Sequence, residues 1–203
     1  MKKPEKKKKT QNPVPDQSPV VLLLIDLISD FTFPDAEQIF DDYAHIVPNI
    51  AKLKKRAKEA GIPVIYINDN FGKWQSDFHS LVDHCLKDSV KSQHLVKQIK
   101  PQQDDYTVLK PKHSAFYCTT LDVLLEYLKA ETLIIAGIAG NICVLFTAND
   151  AYMRDYKLVI PADCTASNSV ADNTYTLTQM EKVLKANIQP STELNLEELK
   201  KES

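Results

Sequence analysis

The chain alternates between short, continuous apolar runs and longer stretches with helical spacing. VVLLLID at 20–26 has no polar alternation, which is how a strand covered on both faces of a parallel sheet reads. IPVIYIN (62–68), YTVLK (106–110), TLIIAG (132–137) and YKLVIP (156–161) predict four further strands, and ANIQPS (186–191) a weak sixth. Between the first two strands, Ile39, Ala44, Ile46, Ile50, Leu53 and Ala57 recur at helical intervals over 35–60. Pro48 is expected to divide that stretch into two helices, with Gly61 as the stop of the second. Helical material is predicted over 78–99, 119–129 and 170–186, after a polar loop at 69–78. A further helix opens near Asn141, with Val144, Leu145, Ala148, Ala151 and Tyr152 on one side, and LNLEELKKES forms an amphiphilic end. Strands alternating with helices predict an α/β fold with a parallel sheet and right-handed crossovers. In such sheets ligands sit beyond the carboxyl ends of the strands, so chemistry is sought there.

Composition narrows the class. At 203 residues, 43% hydrophobic and 26% charged, the chain suits one soluble domain, taken as 19–203. The net charge of −2 hides a basic opening: residues 1–18 hold six lysines against Glu5 and Asp16. That segment is expected to be a disordered tail, because it has nothing apolar to offset ordering entropy, or else a polybasic arm for acidic partners or anionic lipid. The remaining body is more acidic than the whole, which argues against binding nucleic acid over a broad surface. No stretch approaches the ~20 apolar residues of a membrane span, and the opening does not read as an export signal. The four cysteines show no CxxC, so a reducing, cytoplasmic setting is expected rather than a disulfide framework. There is no GxGxxG, and no cofactor is expected.

Three residues at the strand ends carry reactive chemistry. Asp26 closes the first strand, Lys110 closes the third, and Cys143 lies in GIAGNICV, which spends two of the chain's four glycines. A cysteine attacks as thiolate, and its pKa falls near a helix N-terminus or a cation. A carboxylate can take the thiol proton and return it to a leaving amine, and backbone N–H groups can hold an oxyanion. Each has a plain alternative: Asp26 as a turn cap, Lys110 as an edge residue whose role Lys112 could claim, Cys143 as a core residue of its helix.

LLLIDLISDF, LKPKHSAF and GIAGNICV together resemble the three motifs of the isochorismatase-like cysteine hydrolases, the group that includes nicotinamidases and N-carbamoylsarcosine amidohydrolases. The resemblance runs from about Val20 to Thr192. It implies Asp26 as general base, Lys110 as activating lysine and Cys143 as nucleophile, with the N–H groups of Ala139 and Cys143 as oxyanion hole beside a cis Ile138–Ala139 peptide. It also implies a three-layer, six-stranded parallel sheet in the order 3-2-1-4-5-6, and a homo-oligomer, dimer or larger. In that order Lys110 stands two strand spacings, roughly 10 Å, from the first strand, so the segment after it is expected to bend inward.

Nicotinamidases carry a metal site with an Asp-x-His pattern after the second strand, but INDNFGKWQ has Asp69 followed by Phe71 in the histidine's place, so no metal is expected. Ile28 replaces the family's usual glutamine and is expected to make that wall less polar. Isochorismatases proper lack the cysteine and cleave a vinyl ether, so Cys143 argues against that reaction. Phe31, Asp69, Phe71, Trp74 and Phe116 are candidate pocket residues. The expected activity is hydrolysis of a small amide or ureide C–N bond through a thioester. The alternatives are a nicotinamidase proper and a non-catalytic binding or scaffold subunit.

Overall fold

The computed structural model describes residues 17–33, 36–70, 77–87 and 90–202. Most of the basic opening, together with Phe71 and Trp74, lies outside the described residues. Five strands form one parallel sheet: β1 (Val20–Ile25), β2 (Val64–Asp69), β3 (Tyr106–Lys110), β4 (Thr132–Gly137) and β5 (Lys157–Val159), in the order β3-β2-β1-β4-β5. Among the described residues, seven helices accompany them: α1 (Ala36–Glu59), α2 (Phe78–Cys85), the single turn α3 (Gln93–Val96), α4 (Leu121–Leu128), α5 (Leu145–Tyr152), α6 (Val170–Leu184) and α7 (Leu196–Glu202).

The uninterrupted apolar character of β1 follows from its central place. Val20, Leu22 and Leu24 face one core with α1, while Val21, Leu23 and Ile25 face a second with α4, α5 and α6. Helices therefore cover both faces, giving three layers. The sixth strand is a correction. Only Asn187 of the 186–191 stretch pairs with the sheet, through a bridge to Val159, because Pro190 ends extended pairing and the next turn is 3-10.

Pro48 also behaves differently from expectation. It lies inside one 24-residue helix rather than between two. Ile39, Tyr43, Ile46, Val47, Ile50, Leu53 and Ala57 form a continuous buried face on both sides of it. That burial outweighs the loss of one backbone hydrogen bond at the proline. The material at 78–99 is instead broken into α2, α3 and a 3-10 turn at Lys97–Ile99.

Chain order reverses between β1 and β4, where neighbouring strands send their connections to opposite sides and leave a crevice. Register pairs Ile25 with Gly137 and Asp69 with Lys110, so the ends of four strands converge at that point. Among the described residues no helix is long and apolar enough to cross a membrane.

Candidate active site

Asp26 leaves β1 in the left-handed region at φ 50°, a conformation aspartate tolerates better than most residues. Its Oδ1 accepts the backbone N–H of Asp69 at 2.7 Å, and its Oδ2 lies 2.8 Å from Lys110 Nζ. The Lys110 side chain is fully buried. It crosses beneath the end of β2 to place Nζ 3.5 Å from Cys143 Sγ and 3.7 Å from Asp69 Oδ2. The segment behind Lys110 also turns inward, bringing His113 Nδ1 to 3.8 Å from the same sulfur. Lys112 is exposed, which removes it as a rival to Lys110.

Cys143 sits in a π turn, Gly140–Val144, that runs directly into α5. The two glycines before it answer to close approach. A Cβ on Gly137 would lie 2.1 Å from the Ile25 carbonyl oxygen, and φ there is +131°. A Cβ on Gly140 would lie 2.6 Å from Ser167 Oγ and 2.7 Å from Asn173 Oδ1. The Ile138–Ala139 peptide is cis. Most of the turn's amides are already occupied. Gly140 N–H donates to Ala166 O, Asn141 N–H to Ser167 Oγ, and Ile142 and Val144 N–H both to Ala139 O. The remaining amides of the turn are those of Ala139 and Cys143.

Burial dominates the electrostatics. It raises the Asp26 carboxyl above its ordinary value, against the pull of Lys110, the thiol and the Asp69 N–H. Burial disfavours the Lys110 charge, yet Asp26, Cys143 and Asp69 outweigh it and hold the ammonium charged. The Cys143 thiol is pushed up to about 12, first by burial and then by the negative charge of Asp26, with Lys110 opposing. This corrects the expectation of a depressed thiol pKa. A lysine shared between a carboxylate and a sulfur offsets only part of the desolvation, so the resting sulfur is a thiol.

Of the pocket candidates, Asp69 belongs to the site, with its side chain 32% exposed. Phe116 does not. It is buried between Tyr156, at 6.2 Å between ring centroids, and the Arg154 guanidinium, both near the far end of α5. Phe31 packs against Tyr43 and Phe40 in the α1 core. Ile28 is fully buried in that same core and forms no wall of the site. His113 is a site residue that the sequence reading passed over. Its signal was its place three residues after Lys110, on the segment expected to bend inward.

The donor set does not suit a nicotinamidase-type metal. Asp69 and Asn70 are followed by Phe71, and His84 is engaged with Asp30 at 2.9 Å. Among the described residues no three His, Cys, Asp or Glu side chains group to hold an ion.

The family model for the isochorismatase domain matches residues 20–191. The chain belongs to the isochorismatase family. Within that family it is 49% identical over 167 residues to the uncharacterized isochorismatase family protein YaaI of Bacillus subtilis (strain 168), covering 82% of this chain and 91% of that one. N-carbamoylsarcosine amidase from Thermoplasma acidophilum superposes with a TM-score of 0.66 at 25% identity, covering 87% of this chain and 98% of the other. The nicotinamidase SaPncA from Staphylococcus aureus has the same fold, with a TM-score of 0.66 at 22% identity, covering 85% and 98%. Isochorismatase-family relatives of this chain thus include hydrolases of non-peptide C–N bonds.

Proposed function

We propose that this isochorismatase-family protein is a cysteine amidohydrolase that cleaves a small amide or ureide C–N bond through a thioester. The observation that carries the reading is Cys143 Sγ held 3.5 Å from Lys110 Nζ, itself paired to Asp26 at 2.8 Å. The neutral thiol needs a base, and Asp26, made more basic by burial, is poised to take its proton as sulfur attacks the carbonyl. The carbonyl oxygen becomes an oxyanion, which the Ala139 and Cys143 N–H groups receive. Asp26 then passes the proton to the leaving nitrogen, the C–N bond breaks, and the acyl group remains on sulfur. Water hydrolyses the thioester, and sulfur departs as a thiolate facing the Lys110 ammonium. No step needs a metal.

A panel of small primary amides and ureides, read by ammonia release, tests the reading. Cys143→Ala should abolish turnover while leaving the fold intact by circular dichroism. Cys85→Ala, Cys118→Ala and Cys164→Ala should keep it, since Cys143 is the cysteine placed 3.5 Å from Lys110 Nζ. Turnover retained by purified Cys143→Ala would refute the assignment.

A further inference from the structure

The proposed chemistry leaves one neighbour of the sulfur without a role. His113 is exposed, with Nδ1 3.8 Å from Cys143 Sγ and its ring 5.4 Å from that of Phe146. Its backbone is not a loose rim. Ser114 hydrogen-bonds to Asp150, and Ala115 N–H donates to Thr147 Oγ1 at 3.0 Å. Asp150 and Thr147 both belong to α5, the helix that begins just after Cys143. The same helix therefore fixes the sulfur, the Phe146 ring and the chain carrying the imidazole.

The three groups around Sγ divide by access. Lys110 is fully buried, and the Asp26 side chain is only 16% exposed, with its two oxygens turned to the Asp69 N–H and to Lys110. The exposed imidazole is therefore more open to solvent than the carboxylate. We propose that His113 is a second catalytic residue, the base that activates water for hydrolysis of the thioester. This rests on the cysteine-hydrolase reading above, and divides the labour within it: Asp26 serves acylation, His113 deacylation.

The step balances without any co-reactant. The Nδ1 lone pair, with the ring proton on Nε2, accepts a proton from water as the water oxygen bonds to the acyl carbon. The tetrahedral intermediate collapses, the C–S bond breaks, and its electron pair stays on sulfur. The imidazolium proton returns to sulfur, through Nδ1 or through solvent. The net change is thioester plus water to carboxylic acid plus thiol.

p-Nitrophenyl acetate separates the two half-reactions, because release of nitrophenolate reports acylation and steady turnover reports deacylation. In His113→Gln the initial burst should be preserved, while steady turnover falls on the order of 100-fold, the usual reach of a general base. The acetyl group should then accumulate on the peptide carrying Cys143 in mass spectra. His113→Ala should regain turnover with added imidazole, a rescue that a structural role would not give. A burst and steady rate lowered together, or both left unchanged, would overturn the proposal while leaving Cys143 as nucleophile. Absence of any Cys143 adduct in both the wild-type protein and His113→Gln would overturn this proposal together with the reading beneath it.

Discussion

A cysteine becomes useful here through what surrounds it, not through its own ionisation. Burial holds the Cys143 thiol at about 12, and Lys110 is the cation that pulls against that burial. The thiolate fraction therefore grows with pH throughout the neutral and mildly alkaline range. Alkylation of Cys143 by iodoacetamide should climb steadily with no plateau below roughly pH 10. Lys110→Ala should push the thiol higher still and slow alkylation at every pH in that range, whereas exposed Lys112→Ala should leave the profile in place. The opposite pattern would move the activating role two residues along the chain. Asp26, Lys110 and Cys143 were legible as candidates because charged or reactive side chains at strand ends stand out against apolar runs. His113 was only half legible: the segment after Lys110 was expected to bend inward, but nothing local says which of its side chains meets the sulfur. Phe116 was misassigned because an aromatic near a motif reads the same whether it faces a pocket or, as here, Arg154 and Tyr156.

At the scale of elements, the site depends on how closely β1 and β4 approach. Their pairing runs the full length of both strands and ends at Ile25 beside Gly137. There the Ile138 N–H donates to the Ile25 carbonyl at 3.1 Å, just as the chain departs toward Cys143. A methyl group on Gly137 would meet Ile25 backbone atoms at 2.1, 2.8 and 2.9 Å, none of which can swing aside. Gly137→Ala should therefore cost about 3 kcal/mol or more, the range of overpacking combined with an unfavourable φ. Thermal melts check this, and an unchanged melting temperature would show that the strands separate more readily than their pairing suggests. The strand positions were readable because doubly covered strands are apolar without a break. Where Pro48 would leave α1, and whether 186–191 would join the sheet, depended on burial and pairing partners that a local pattern does not contain.

Among the described residues, Asp30, Asp77 and Asp104 lie away from the site and are each held below the ordinary carboxylate value by hydrogen bonds or ion pairs. Lys58 lies 2.5 Å from Asp104 and holds that carboxyl below its ordinary 3.8. Asp30, though burial raises it, is brought lower by Thr32 and His84. A carboxylate with a lowered folded-state pKa binds fewer protons folded than unfolded, so its contribution is present above 3.8 and is lost as pH falls through the folded value. Asp26 is shifted the other way, and its contribution declines as pH rises above 3.8. Asp30 and Asp104 are partly exposed, so each contributes only about 0.5 kcal/mol after screening. Asp104→Asn should accordingly flatten the drop in melting temperature between about pH 5 and about pH 3. A drop as steep as in the parent chain would place the acid response elsewhere.

The amino-acid sequence by itself determined the class of fold and nominated Asp26, Lys110 and Cys143 as candidates, which the structure brings together. Apolar continuity reports burial on both faces, and strand ends are where a parallel sheet exposes its chemistry. Tertiary structure decided everything that depends on distance between remote segments. Lys110 reaches Asp26 and Cys143 only because β3, β2 and β1 are neighbours in that order. The thiol stays protonated because desolvation, a property of the packed interior, outweighs one nearby cation. His113 meets the sulfur because α5 fastens both.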